Sequence, residues 1–574
     1  MRREDRAEGS ASLGDRLLAL FGEVGTRARK RRPGVWRGLI GGLDDGGILN
    51  LSLVALLSAV CGTTVLLLLN AEAREVEYHG YSDLIAFGFL ALLVIYRWSQ
   101  NYLIREATQA IELALHERRL STTRNVLRLS LEDVQALGLR SVIDGIGAHY
   151  GTLSQTLVPI VAGVEGVVLL VFMFGYLVIL SPMAAALTTI VVAVTVMGFL
   201  ASRSRLDEDL SLAVRSEEAF RDLAEGLVRG KKELRLNPDK RSAFQNDMIE
   251  RSEELAMCRS NAAAHFASML ATGNSASYLM AGAVVFVLPL ITGVEQTDIS
   301  RIVVAVIFLL GPISSVVQTF QQVTTARFAL AEIGAFQDRV EALADRHDSD
   351  RSNGRVPAFQ ELRLESLSYS HAGENGFSIR DIDLQLQKGE ILFVTGGNGS
   401  GKTTLLRIIT GLYPRHEGAM RLNGERLAHY PPQSYRNLFA SVFSDFHVFQ
   451  HPYGLDDAGL ERLEQWLVEF DIRHKLGDDL GFIDANALST GQKKRVGLAL
   501  ALAEQRQILV LDEWAADQDP ATRRRFYHEI LPRLKAEGLT ILAVTHDDSY
   551  FDCCDRRLHM AEGRITEDGE AWRQ

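Results

Sequence analysis

Gly396, Gly401, Lys402 and Thr403 stand at the spacing G-x-x-x-x-G-K-[ST] within GGNGSGKTT, the run Gly396, Gly397, Asn398, Gly399, Ser400, Gly401, Lys402, Thr403, Thr404. Such residue types bind phosphate: turns without side chains let backbone N–H groups wrap phosphate oxygens at a helix N-terminus. Lys402 is placed to reach β- and γ-phosphates and Thr403 to hold Mg²⁺. Residues 390–395 (EILFVT) are short, apolar and β-rich, and residues 404–409 open a helix. Strand, loop and helix therefore follow in the order the motif needs, which a plain glycine-rich turn does not require.

A second apolar strand, residues 508–511, ends in Asp512 and Glu513. Two carboxylates then sit at a strand's C-terminal edge, where open α/β sheets bind ligands. Asp512 is the expected Mg²⁺ ligand, and Glu513 the general base that polarises water for in-line attack on the γ-phosphate. His546 ends a third apolar strand, residues 540–545, within reach of that phosphate and water. A lone strand-end histidine is more often structural; the neighbouring motifs favour the functional reading.

The elements that position these residues occupy only part of the chain. The 574 residues carry a formal net charge of -11 and are 47% hydrophobic, an ordinary average that hides a split. Up to about residue 325 long apolar stretches dominate, and beyond it charge mixes with short strands. Six stretches, 47–70, 84–104, 157–180, 183–200, 269–291 and 302–320, approach the roughly twenty apolar residues that cross a bilayer. Lys and Arg concentrate in the N-terminal tail (27–32, RARKRR) and in the segments following spans two and four, so both termini are expected in the cytoplasm. The first forty residues hold one short apolar run, 17–21, too small for a signal-peptide core, so the first span is expected to target the protein. Four cysteines lack metal-ligand spacing and are expected to be inert thiols.

LSTGQ (Leu488, Ser489, Thr490, Gly491, Gln492) follows the phosphate loop by about ninety residues and precedes ILVLDEW. With that string the chain resembles the ATP-binding cassette (ABC) transporters over nearly its whole length. The resemblance implies an all-α six-helix transmembrane domain of exporter type followed by an α/β P-loop ATPase domain, with ATP and Mg²⁺ as cofactors. The expected division is 1–40 basic tail, 41–346 transmembrane domain with cytoplasmic helical extensions, 347–357 linker and 358–574 nucleotide-binding domain. It further implies that Ser489, Gly491 and the following helix N-terminus contact the γ-phosphate of ATP held by a second subunit. One phosphate loop and one signature are present, so a homodimer, or a heterodimer with a similar half-transporter, is expected. By the same resemblance the helical tips near 129–145 and 225–236 dock on the cassettes.

Several strings depart from the common pattern together. Thr490 stands where a second glycine is common, Trp514 replaces the usual proline, and AADQDP follows with Asp519 at the D-loop position. STGQKKR with DEWAADQDP resembles the bacterial cyclic-peptide and siderophore exporter branch, associated with pyoverdine-type siderophores, syringomycin-type lipopeptides and microcin-type peptides. That resemblance implies ATP-driven export of a peptide-like secondary metabolite across the bacterial inner membrane by alternating access. A siderophore importer with an exporter-like fold and a lipid or multidrug flippase share the same motifs. Membrane lipids are expected neighbours; nucleic acid is not an expected partner, because a second cassette or long coiled-coil insertion is lacking.

Ser444 occupies the usual Q-loop glutamine position and Asp445 follows it, so either Asp445 substitutes or water completes the metal shell. Tyr369 and His371 share a strand face at i and i+2, and either ring is a candidate to stack on adenine. Arg97 and Glu165 lie at similar depth in spans two and three, and either pair or line a substrate cavity. Gly311 and Pro312 interrupt the sixth span, where proline removes a backbone donor.

Overall fold

A computed structural model describes residues 45–78, 83–292, 296–344, 356–370, 378–415, 417–429, 431–477 and 479–570. The basic tail, most of the expected linker and His371 lie outside them. The chain divides into one unit of residues 1–123 and 143–338 and another of residues 124–142 and 339–574.

The helices that shape this part of the chain are α1 (Asp45–Tyr78), α2 (Asp83–Arg128), α3 (Leu131–Leu137), α4 (His149–Leu180), α5 (Pro182–Arg229), α6 (Pro238–Gly282) and α7 (Gln296–Ala344), with short turns of helix between them. Helix α3 and the ends of α2 (124–128) and α7 (339–344) fall in the second unit, and the rest belongs to the first. Their starts follow sequence punctuation: Ser181 accepts from the N–H of Ala184 ahead of Pro182, and Asn237 from the N–H of Lys240 ahead of Pro238. Among the described residues, five stretches are long and apolar enough to cross a membrane: Leu49–Glu72, Asp83–Arg128, Leu139–Leu180, Pro238–Ile291 and Ile299–Ala344. The remaining expected span, 183–200, falls at the start of α5, where Pro182–Gly198 is apolar. Helix α7, 49 residues long, rises about 70 Å at 1.5 Å per residue, more than twice the roughly 30 Å of hydrocarbon it would cross.

Packing inside this unit is small-residue and aliphatic. Ala59 and Leu66 of α1 meet Leu169, Met173 and Leu177 of α4, Ala184 and Ala185 of α5, and Ala305, Val306 and Leu309 of α7. A Cβ on Gly163 would lie 1.9 Å from Thr319 Oγ1, so α4 and α7 approach there only because that position is glycine. Thr319 Oγ1 donates to the carbonyl of Pro159 at 2.8 Å across the same contact. Helix α7 runs on through Pro312 rather than ending at it. Phe87, Val171, Ile179 and Phe286 are exposed, as lipid-facing side chains are.

The second unit contains α3 and two sheets. Its strands are β1 (Glu361–Ser370), β2 (Ser378–Gln387), β3 (Ile391–Gly396), β4 (Glu417–Leu422), β5 (Glu425–Arg426), β6 (Phe439–Val442), β7 (Ile508–Asp512), β8 (Thr540–Val544), β9 (Arg556–Ala561) and β10 (Arg564–Glu570). Strands β2-β1-β4-β5 form an antiparallel sheet, and β10-β9-β3-β8-β7-β6 a second, parallel from β9 to β6. Successive residues of the central strands feed opposite cores. Phe393, Leu509, Leu511 and Ile541 face one layer, and Leu392, Val394, Ile508, Val510 and Leu542 the other. Both faces are covered, so these strands read as unbroken apolar runs. Helix α8 (Lys402–Ile409) leaves the end of β3, while α9 (Asp457–Glu469) and α10 (Thr490–Ala503) pack on each other. Leu131 of α3 packs against the cluster that holds Phe359 and Tyr369.

Candidate active site

Strand β3 delivers the chain into the phosphate loop at Gly396, whose φ is 141° and where a Cβ would lie 2.1 Å from the carbonyl oxygen of Met560. No other residue fits that crossing. Gly401 turns the chain with φ 102° immediately before α8, so the first-turn N–H groups of α8 open toward the loop. Lys402 is buried, and its Nζ donates to the carbonyls of Gly396 at 3.0 Å and Gly397 at 2.9 Å. Burial lowers its pKa, and the carboxylates of Glu513 and Asp512 oppose that shift. Beside the loop lies a cavity of about 740 Å³, bounded by residues 397–400 and by Arg380, His559 and Arg564. Its size is that of a small-molecule site.

Asp512 is 1% exposed. Its Oδ2 accepts from Thr403 Oγ1 at 2.9 Å and from Ser444 Oγ at 3.0 Å, whereas its buried Oδ1 has no hydrogen-bond partner. A bare buried carboxylate oxygen beside two hydroxyls is the donor set that a hard cation such as Mg²⁺ takes. The residues present thus fit the ion.

Parallel pairing of Asp512 with Val544 places the ends of β7 and β8 side by side. Glu513 Oε1 consequently lies 3.1 Å from His546 Nε2. Glu513 adopts a left-handed backbone, φ 51° and ψ 37°, rare for a residue with a side chain. Its N–H donates to the carbonyl of Val544 at 3.1 Å, and its carbonyl accepts from Lys494 Nζ at 2.6 Å.

LSTGQ forms the start of α10. Ser489 Oγ accepts from the N–H of Gln492, and Gln492 Oε1 accepts from the N–H of Ser489, a reciprocal cap that leaves Ser489 and Thr490 exposed above a buried Leu488. A Cβ on Gly491 would lie 2.5 Å from the carbonyl oxygen of Asp517. Among the described residues no hydrogen bond joins LSTGQ to the phosphate loop. Asp519 caps the helix Pro520–Arg525, accepting from the N–H of Thr522 at 3.0 Å and its hydroxyl at 2.7 Å, and these bonds hold its carboxyl below the usual range.

Three expectations change. Tyr369 is 1% exposed and stacks on Tyr413 with ring centroids 5.3 Å apart, so its ring belongs to the core and offers adenine no open face. Its phenol is pushed up by burial, with the Glu132 carboxylate of α3 adding to the shift. Asp445 does not stand in for the missing glutamine: it pairs with Arg407 Nη2 at 2.8 Å, and Ser444 supplies the contact to Asp512. The pairing of Arg97 with Glu165 is not formed. Glu165 is buried and accepts from Ser58 Oγ of α1 at 2.6 Å, while Arg97 is exposed on α2. Similar depth along two helices does not make a pair, because each residue also turns the side chain by about 100° around the axis. Strand register alone misses Ser444: with Val442 opposite Leu511, β6 continued would set Phe443 opposite Asp512, and the contact is made instead by Ser444 beyond the strand's end. The thiols of Cys553 and Cys554 are pushed up to about 11 and about 12, chiefly by burial, and are poor nucleophiles there.

Residues 379–516 match the ABC transporter family. The ATP-binding protein SyrD of Pseudomonas syringae pv. syringae is 30% identical over 538 residues, covering 90% of this chain and 93% of that protein. Over a shorter stretch of 218 residues, the molybdate/tungstate import ATP-binding protein WtpC of Pyrococcus abyssi is 35% identical, covering 36% of this chain and 62% of that protein. A solved structure of a bacterial Atm1-family ABC exporter with ATP bound shares the fold, with a TM-score of 0.71 at 16% identity, covering 92% of this chain and 96% of that chain. Membrane-type helices and an ATPase unit in one polypeptide, matched along nine-tenths of a relative, leave one assignment: the chain belongs to the ABC transporter family and couples ATP hydrolysis to transport.

Proposed function

We propose that two copies of this chain export a peptide-like secondary metabolite across the bacterial inner membrane, with both termini cytoplasmic. One observation carries the dimeric reading. Lys402, Thr403, Ser444, Asp512, Glu513 and His546 gather at one sheet edge, whereas among the described residues the exposed start of α10 makes no hydrogen bond to the phosphate loop of its own chain. The site lacks one wall, and LSTGQ of a second copy is the surface that completes it.

In the working site Lys402 leaves the loop carbonyls for the β- and γ-phosphates. The Glu513 carboxylate accepts a proton from the attacking water as the new P–O bond forms and the bond to the ADP oxygen breaks. His546 holds the Glu513 side chain and the γ-phosphate side of that water. Mg²⁺, held by Thr403 and Asp512 with Ser444 beside them, would neutralise phosphate charge. ATP joins the cassettes, hydrolysis releases them, and the helical bundle alternates between its two openings.

The cargo class rests on STGQKKR with DEWAADQDP, and the 30% identity to SyrD over nine-tenths of the chain supports the same branch. Glu513→Gln in lipid nanodiscs should retain ATP and lower steady-state turnover by about 100-fold or more, the scale of a lost general base. Normal turnover in that variant would remove Glu513 from the role. Inside-out vesicles loaded by ATP with a cyclic lipopeptide or siderophore support the cargo class. ATP-dependent movement of lipid alone, or of siderophore in the opposite direction, replaces it with a flippase or an importer.

A further inference from the structure

Lys494 lies in the second turn of α10, five residues after Ser489, and its side chain is 4% exposed. An ammonium withdrawn from water is tolerated only where it is paired and hydrogen-bonded. Nζ of Lys494 meets both demands at one place: it donates to the carbonyl of Glu513 at 2.6 Å and pairs with Asp517 Oδ2 at 2.7 Å. The next residue returns the contact. Trp514 Nε1 donates to the carbonyl of Lys494 at 2.8 Å, and its buried indole is held by Phe526, with ring centroids 4.4 Å apart. A third tie, Gln518 Nε2 to the carbonyl of Gly491 at 3.1 Å, closes the seam between the signature helix and the loop after β7.

The backbone that this seam grips is the strained one. Glu513, at φ 51°, is fixed on one side by its N–H on Val544 and on the other by its carbonyl on Lys494. Left-handed geometry at a residue with a Cβ persists only where its surroundings over-determine it. Released at the carbonyl, Glu513 would be free to relax toward an ordinary conformation, which would swing its carboxylate off His546.

We propose that Lys494 is the positioning residue for Glu513, clasping the catalytic backbone to the chain's own signature helix through Lys494 and Trp514. The proposal rests on the reading of Glu513 as base and of LSTGQ as the surface that meets the second subunit's ATP. Lys494 then reports engagement of LSTGQ at one ATP to the base acting on the other. The two strings that set this chain apart, STGQKKR and DEWAADQDP, are thereby two halves of one clasp.

The test uses the full chain in nanodiscs. Lys494→Met keeps an unbranched stem and removes the ammonium; kcat should fall about tenfold or more, as for a displaced catalytic group, with KM for ATP within about twofold. Trp514→Phe keeps an aromatic ring against Phe526 and removes the returning donor, and should lower kcat in the same sense. The double variant should lose no more than the worse single, since both break one clasp. Wild-type kcat in Lys494→Met, or a loss that appears only in KM, overturns the proposal. Should Lys494→Met fail to bind ATP at all, Trp514→Phe and Asp517→Asn decide: wild-type kcat in both overturns it, and reduced kcat with ATP binding kept supports it. Glu513→Gln separates the two readings. Normal turnover in that variant defeats the base assignment itself, whereas an inactive Glu513→Gln beside a normal Lys494→Met defeats the positioning role alone.

Discussion

Asp512 keeps two hydroxyls on one oxygen and leaves the other bare. Thr403 is the hydroxyl that the phosphate-loop spacing announces, and Ser444, just past the end of β6, is one that neither spacing nor strand register announces. A serine is too short to span the distance a glutamine covers, yet it does not need to, because β6 ends directly beside β7. Partners that orient a metal-binding carboxylate are worth about 10–100-fold in metal affinity. Ser444→Ala should therefore raise the free Mg²⁺ needed for half-maximal ATPase about tenfold, with the rate at saturating Mg²⁺ little changed. ATPase titrated against buffered Mg²⁺ measures it, and an unmoved midpoint means that the Ser444 contact is incidental. Tyr369 shows the same limit on reading residues from sequence. Strand parity paired it with His371, but parity leaves open whether the shared face points at the ligand or into the core, and at Tyr369 the ring of Tyr413 settles the matter.

Elements were more legible than side chains. The three strands that carry the phosphate loop, the carboxylates and the histidine appear as β3, β7 and β8 within a residue of their expected ends, because apolar runs buried on both faces have few alternatives. Helix α3 was legible as a helix; its membership in the ATPase unit depends on long-range packing of Leu131 and on Gln135 Oε1, which accepts from the Tyr413 hydroxyl at 2.7 Å. Short capped segments offer a test at this scale. Bonds from Thr522 hold the Asp519 carboxyl below its usual range, so the charged cap stabilises the fold above the unfolded value, about 3.9. That contribution fades as pH falls through the lowered folded value. Asp519→Ala should cost about 1 kcal/mol at pH 7, the usual worth of a cap, and the gap to wild type should narrow below about pH 4. Thermal melts of detergent-solubilised protein across that range check it, and a gap that does not change with pH assigns the cap no charge-dependent part.

At the scale of the molecule the two units solve different solvent problems. The helical unit exposes apolar side chains and closes its interior with glycine, alanine and buried hydroxyls, as lipid demands, since no water is present to satisfy a stray polar group. Its helices outrun a bilayer, and the segment joining α2 to α4 is built into the other unit. There a chain of polar contacts runs from Gln135 to Tyr413, from the Tyr413 hydroxyl to Arg407 Nη1 at 3.0 Å, and from Arg407 to Asp445 beside Ser444. Four side chains, Ser444, Asp445, Arg407 and Tyr413, thus stand between Asp512 and Gln135, on a segment continuous in sequence with membrane-type helices. If ATP closes two copies on each other, the separation of matching points on the two ATPase units must change with nucleotide, and the change must persist when hydrolysis is blocked. Glu537, exposed at the end of a short helix, precedes β8 at the end opposite His546 and suits a spin label once the four cysteines are replaced by alanine. In Glu513→Gln, ATP with Mg²⁺ should convert a broad distribution of Glu537-to-Glu537 distances into a single shorter one, read by double electron–electron resonance in nanodiscs. A nucleotide-independent distribution would sink the homodimeric, alternating-access reading even if ATPase activity were intact, because a ligand moves an equilibrium only by binding its two states unequally.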